Sequence, residues 1–320
     1  MIVARNILYP IGLIISALLS GVLFWKMGKR RGLSSACLWQ SQMFGSVLGI
    51  IGSKLFYLSV RGTYLLPTYG WQAMVRLRWN EFAMSGAVIG VLGGLFVAAR
   101  ISGNGFRPLL NAFAPAGLLL IALSRFFEYF VDFGLGRYVE NSMWKFFPYA
   151  VVNEYGEWFQ AIFMMEGFVA LIAFVVVFKL SAFPFWPGGK LALVLWALPQ
   201  IFFESFRNES LRWGFVRIQQ VACAAFVLLV MIDSATRLRK QNEQFAQTFW
   251  SFGLFFSGVA MCVFVEFALD KMNIPILLSY GMMLAAIGLM GIAAVMQMKK
   301  IAVHEKSDSK YMGWEGRLQK

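Results

Sequence analysis

Six ionisable side chains, Lys54, Arg125, Glu128, Glu166, Glu204 and Glu266, stand inside long apolar stretches of this 320-residue chain. A charge held in hydrocarbon is costly, so each of them needs a partner or a task. Arg125 and Glu128 are three apart and share one helix face. There they neutralise each other, or the planar guanidinium grips a phosphate or carboxylate. Glu166 lies seven residues into its stretch, about 10 Å along a helix, too deep for its short side chain to reach the interface. Glu204 and Glu266 stand near stretch ends, where reaching for the interface explains them equally well. The one histidine, His304, falls in a polar tail, so no imidazole chemistry is available inside the apolar part. Cys37, Cys223 and Cys262 show no spacing for a disulfide or a zinc site, and we expect neither metal nor cofactor.

The elements that must carry these groups follow from composition. Hydrophobic residues make up 59% of the chain, charged ones 14%, and the mean hydropathy is +0.65. That balance predicts an all-α, polytopic transmembrane bundle of about nine spans, at 7–26, 42–60, 82–99, 108–131, 159–178, 190–206, 216–233, 248–269 and 274–298. The net charge of +13 reflects basic loops between spans rather than a nucleic-acid surface. Seventeen lysines and arginines fall on one set of connections and ten on the other, which puts the amino terminus outside and the carboxyl terminus inside. The first stretch is followed at once by KMGKRR and reads as a retained span, not a cleaved signal.

With this topology all six buried charges, together with Tyr9 and Ser85, fall in one outer-leaflet layer. Gly86, Gly90 and Gly94 on the third span, and Gly45 and Gly49 on the second, predict close helix packing. Segments 61–81 and 132–158 mix aromatics with charges and suit arms at the outer surface. A polar connector at 236–247 divides a core at 1–235 from an added hairpin at 248–298, and a polar cytoplasmic tail at 299–320 follows. A transporter finds little support, since no inverted repeat is evident.

In that frame the order of pieces resembles the prolipoprotein diacylglyceryl transferase family over residues 1–235. The likeness rests on the Tyr9-led first span, SGAVIG at 85–90, AFAPAGLLLIALSR at 112–125 and Gly136-Arg137. It continues with MMEGF at 164–168, PGGKLAL at 187–193 and FFESFRNE at 202–209. The resemblance implies seven core spans and transfer of diacylglyceryl from phosphatidylglycerol to a lipobox cysteine in the bacterial cytoplasmic membrane. It implies catalytic roles for Glu204, Glu128 and Tyr9, and substrate binding by Arg125, Ser85, Gly136, Arg137 and Gln200. It also implies that Tyr9, Ser85, Arg125, Glu128 and Glu204 line one cavity.

The chain departs from the family's pattern at several of these places. Ser85 stands for its histidine, Glu128 for an asparagine, Phe133 for a glutamate and Gln200 for an arginine, and GEWFQAI replaces the signature before the fifth span. Gln200 and Glu128 together remove about two units of positive charge from a site that must hold a phosphate. Two readings therefore stand: a divergent transferase, or an inactive paralogue that binds a lipid, a signal-peptide helix or a lipoprotein. In the second, residues 248–298 offer docking area to partners in an envelope complex.

Overall fold

The computed structural model describes residues 2–76, 78–182, 186–214, 216–240, 245–272 and 275–318. Its helices are α1 (Ile2–Arg30), α2 (Ser35–Tyr69), the single turn α3 (Gln72–Val75), α4 (Met84–Ile101) and α5 (Phe106–Phe127). They continue with α6 (Ile162–Leu180), α7 (Gly188–Glu204), α8 (Ile218–Lys240), α9 (Phe245–Lys271) and α10 (Ile276–Leu318). Among the described residues eight helices are long and apolar enough to cross a membrane, and the protein is the all-α multi-pass bundle that its composition predicts.

The difference from nine spans is α7, expected at 190–206, which has only 17 residues. It packs against α5, α6, α8 and α10, and most of its side chains are buried. Protein, not lipid, covers this helix, so it does not need the length of a lipid-facing span.

Two packed halves share α5. One is built from Phe24, Leu38, Leu95 and Leu109 of α1, α2, α4 and α5. The other joins Leu118 of α5 to Trp196, Met231, Phe255 and Met290 of α7 to α10. The added hairpin α9–α10 thus belongs to the second core, and Met283, Ala286 and Met290 are fully buried there. The glycine expectation holds on α2 and α4, where backbone meets backbone. A Cβ on Gly90 would overlap the Leu48 carbonyl, one on Gly86 that of Gly52, and one on Gly94 would press on Gly45 N.

Other boundaries moved. With 35 residues α2 is about 52 Å long, well past a hydrocarbon core of about 30 Å, so the arm expected from residue 61 begins as a continuation of that helix. The arm closes through α3 and a 3-10 turn, Trp79–Glu81. Segment 132–158 is not a plain surface arm. It contributes β1 (Leu135–Tyr138) and β2 (Ala150–Val152), which pair with β3 (Trp158–Ala161) in the antiparallel order β1-β3-β2. A second, two-stranded ribbon joins β4 (Arg212–Trp213) to β5 (Val216–Arg217). The connector at 236–247 is helical through Lys240, residues 241–244 lie outside the described residues, and α10 runs on through the expected tail to Leu318.

Candidate functional site

Chain alternation brings the start of α1 and the ends of α2, α5, α7 and α9 to the bundle end that carries the strands. Arg125, in the last turn of α5, and Glu128, in the 3-10 turn that follows, are held there by their phenylalanine neighbours. Phe127 fills the space where Gly12 of α1 lacks a side chain, and Phe126 does the same against Gly167 of α6. A larger residue at either glycine would collide with a ring, so these two glycines fix the rotation of α5 that turns Arg125 inward.

Arg125 meets two carboxylates. Its Nη1 pairs with Glu128 Oε1, and its Nε lies 2.8 Å from Glu166 Oε2. Glu166 in turn accepts from Arg207, Nε to Oε1 at 3.0 Å and Nη2 to Oε2 at 2.8 Å, and the same Nη2 stands 3.8 Å from Glu128. Gln200 also bonds Glu166. Two arginines and two glutamates thus form a buried quartet of zero net charge. Burial alone would lower the Arg207 guanidinium pKa, but the Glu166, Glu128 and Glu204 carboxylates outweigh it and leave the value raised. Gly134, at φ +68°, lets the chain pass directly beside Glu128 and Arg207, where a Cβ would lie 2.8 Å from Glu128 Oε2.

A cavity of about 940 Å³ opens in front of the quartet, between the two packed halves. Its long wall is the α5 face from Leu110 to Arg125, fifteen residues or about 22 Å of helix. Deep in the cavity the lining is apolar, with Val91, Leu92, Phe113, Leu118 and Leu193. At the strand end it is polar, with Arg61, Arg125, Glu128, Arg207, Glu209 and Arg212. Tyr9 also lines it, edge-on to Trp79 at 5.4 Å.

Of the residues expected on one cavity, Tyr9, Arg125 and Glu128 are there, whereas Ser85 and Glu204 are not on its wall. Ser85 is fully buried beside Cys223 of α8. The cavity stripe of α7 runs through Gly189, Ala192, Leu193 and Trp196. Glu204 is 1% exposed, and neither of its carboxyl oxygens has a hydrogen-bond partner among the described residues. Gly136 gives its carbonyl to Asn208 Nδ2 and lets Ile162 approach, while Arg137 lies over the Tyr280 ring of α10, 5.9 Å from its centroid.

The buried charges expected in one layer, Glu204 apart, group into three clusters. Lys54 and Arg76 pair with Glu81, with Lys54 Nζ 2.6 Å from the carboxylate. Glu266 of α9 accepts from Ser205 and Gln220 and lies 3.3 Å from Arg217 Nε. The third is the quartet. Arg76, Glu81, Arg207 and Arg217 are the charged members that sequence reasoning missed. The spacing of Glu204 and Arg207, three apart on what looks like one helix face, was the available signal for Arg207.

These features define a membrane protein with an amphipathic cavity that ends on a neutral arginine–glutamate centre. Residues 6–236 match prolipoprotein diacylglyceryl transferase, and the chain belongs to that family. A phosphatidylglycerol–prolipoprotein diacylglyceryl transferase of Thermotoga petrophila is 28% identical over 216 residues, 64% of this chain and 71% of that one. Those of Clostridium novyi and Listeria monocytogenes serotype 4b are 23% and 22% identical over 205 residues, 62% of this chain in each case and 78% and 73% of theirs. The family match ends before α9 and α10, which nonetheless pack on α7 and α8.

Proposed function

We propose that this chain holds a phospholipid of the phosphatidylglycerol class in its cavity, with acyl chains along the α5 wall and the headgroup at the charged end. The shape carries the reading: a lipid-sized volume that is apolar along one long wall and arginine-rich at one end. Relatives named for phosphatidylglycerol and prolipoprotein support it. We place the chain in the bacterial cytoplasmic membrane, amino terminus outside, on the strength of its basic-residue asymmetry. The cavity then opens to the outer leaflet, where the signal-peptide helix of a prolipoprotein approaches. A reporter fused after Met27 or Lys240 should behave as cytoplasmic and one near Lys145 as external; an external signal at Lys240 would overturn the orientation.

Diacylglyceryl transfer needs a stabilised phosphate leaving group and a deprotonated thiol. Arg125, engaged by Glu128 and Glu166, is spent on its neighbours, so we read the chain as a lipid-binding member that transfers little. The active-transferase reading is favoured by family membership and by Glu204, whose carboxyl has free hydrogen-bonding capacity.

One preparation tests both readings, with retention of labelled phosphatidylglycerol and transfer of its diacylglyceryl to a lipobox peptide measured side by side. The unmodified chain should bind and barely transfer; transfer at an ordinary rate would establish the second reading. Gln200→Arg would compete for Glu166 and Glu204, and Glu128→Asn would release the other side of Arg125. The double variant should retain about tenfold more phosphatidylglycerol, and adding Arg125→Ala should erase that gain. No gain would sink the argument that the quartet silences Arg125.

A further inference from the structure

We propose that Arg61 and Arg212, at the mouth of the cavity, form its anion site and take the phosphate oxygens of an anionic lipid headgroup. The inference rests on the cavity reading above and says which residues select the ligand. It starts from where the cations are spent. Of the four arginines on the cavity wall, Arg125 and Arg207 are ion-paired with Glu128 and Glu166. Lys54 and Arg76 close on Glu81, and Arg217 on Glu266. Arg61 and Arg212 have no ion-pair partner among the described residues. Arg212 donates only its Nε, to Ser210 Oγ at 2.8 Å, which leaves both terminal nitrogens of its fork available.

The two sit on elements that face each other across the opening. Arg61 projects from the part of α2 that extends past the depth of Lys54, seven residues or about 10 Å further along the helix. Tyr57 and Tyr64 lie four residues before it and three after it on the same helix face, and both line the cavity. Arg212 stands on β4, whose pairing with β5 and whose bond to Ser210 hold it over the same opening. Both arginines are exposed, as a site for a headgroup at the membrane interface must be. A guanidinium fork matches a phosphate bidentately. Two forks against the single Glu209 leave a net positive mouth, which accepts an anionic headgroup and repels the ammonium of a zwitterionic one. The buried quartet, being neutral, offers no such selection. It orders the floor of the headgroup region while the rim reads the charge.

The test uses the full chain in nanodiscs and compares retention of labelled phosphatidylglycerol, phosphatidylethanolamine and diacylglycerol, the last carrying no phosphate. Wild type should retain phosphatidylglycerol over phosphatidylethanolamine. Arg61→Ala with Arg212→Ala should lose about tenfold in phosphatidylglycerol retention, an allowance for two exposed charge-assisted contacts, and leave diacylglycerol retention unchanged. Arg61→Lys with Arg212→Lys should restore part of the loss, and Glu209→Gln should strengthen binding. Undiminished phosphatidylglycerol retention in the alanine pair would overturn the site while leaving the cavity reading intact. Failure of wild type to retain phosphatidylglycerol and diacylglycerol alike would overturn the cavity reading and the site with it. A loss of both lipids in the lysine pair as well as the alanine pair would show a structural role and overturn the headgroup assignment. Soluble glycerol phosphate should compete weakly; displacement of labelled lipid by equimolar glycerol phosphate would reassign the site to free phosphate and overturn the lipid claim.

Discussion

Replacing Glu166 with alanine should destabilise the protein by about 3–5 kcal/mol, the range for breaking a buried ion pair from one side. The Glu166 side chain is fully buried, accepts from Arg207 and is ion-paired with Arg125. Without it Arg207 keeps only Glu128 at 3.8 Å, and Arg125 keeps Glu128 alone. One carboxylate then faces two guanidinium groups away from water, and the surplus charge carries the cost. Glu166→Gln should cost less, because the amide oxygen still accepts and the volume is kept. Glu166→Leu combined with Arg207→Leu should recover most of the loss, since that pair leaves Arg125 and Glu128 to neutralise each other. Thermal unfolding in detergent reads all four proteins. A midpoint for Glu166→Ala close to wild type would show that the quartet is not the closed electrostatic unit described above.

Gly90→Leu should be as damaging for a different reason. A side chain there has only backbone in front of it, the Leu48 carbonyl and the Gly49 Cα, and backbone cannot turn aside as a flexible side chain can. The helices must separate, and the contacts at Gly86–Gly52 and Gly94–Gly45 go with them. In lipid no hydrophobic effect pulls the pair back together, because tails solvate a parted helix as well as a neighbour does. We expect a loss of about 3 kcal/mol or more, at the upper end for overpacking. Gly93→Ala is the control: it lies on the same helix, where an added Cβ would meet nothing within 4 Å, and should be near neutral. Ala87, Val88 and Val91 of the same helix line the cavity, so Gly90→Leu should also reduce lipid retention. Equal thermal midpoints for the two glycine variants would refute the backbone-contact account of α2 and α4.

What could be read in advance was whatever depends on local composition. Mean hydropathy and stretch length placed the long helices, because spanning hydrocarbon is a property of each segment by itself. The glycine rows on the second and third spans announced their contact, since a spacing of four residues marks one helix face. The ends of elements were less legible. The run of α2 past residue 60 and the strands in 132–158 fall outside the apolar stretches, where hydropathy carries no signal.

The site divides along the same line. By itself the sequence determined that Arg125, Glu128 and Glu166 lie at membrane depth and must be satisfied, and that Arg125 and Glu128 share a face. Only the tertiary structure decided who satisfies whom. Arg207 looked like one more basic residue of an outer loop until the turn after α7 brought it to Glu166. Lys54 found Glu81 because the arm folds back. Glu266 met Arg217 because α9 docks beside α8, and Ser85 is off the cavity wall because it faces Cys223 of α8, while Glu204 lies beyond the part of α7 that lines the cavity. The physical reason is range. The cost of a bare charge is fixed by the segment's own depth in the membrane, whereas the partner that removes the cost must arrive within about 3 Å from a residue as many as about fifty positions away.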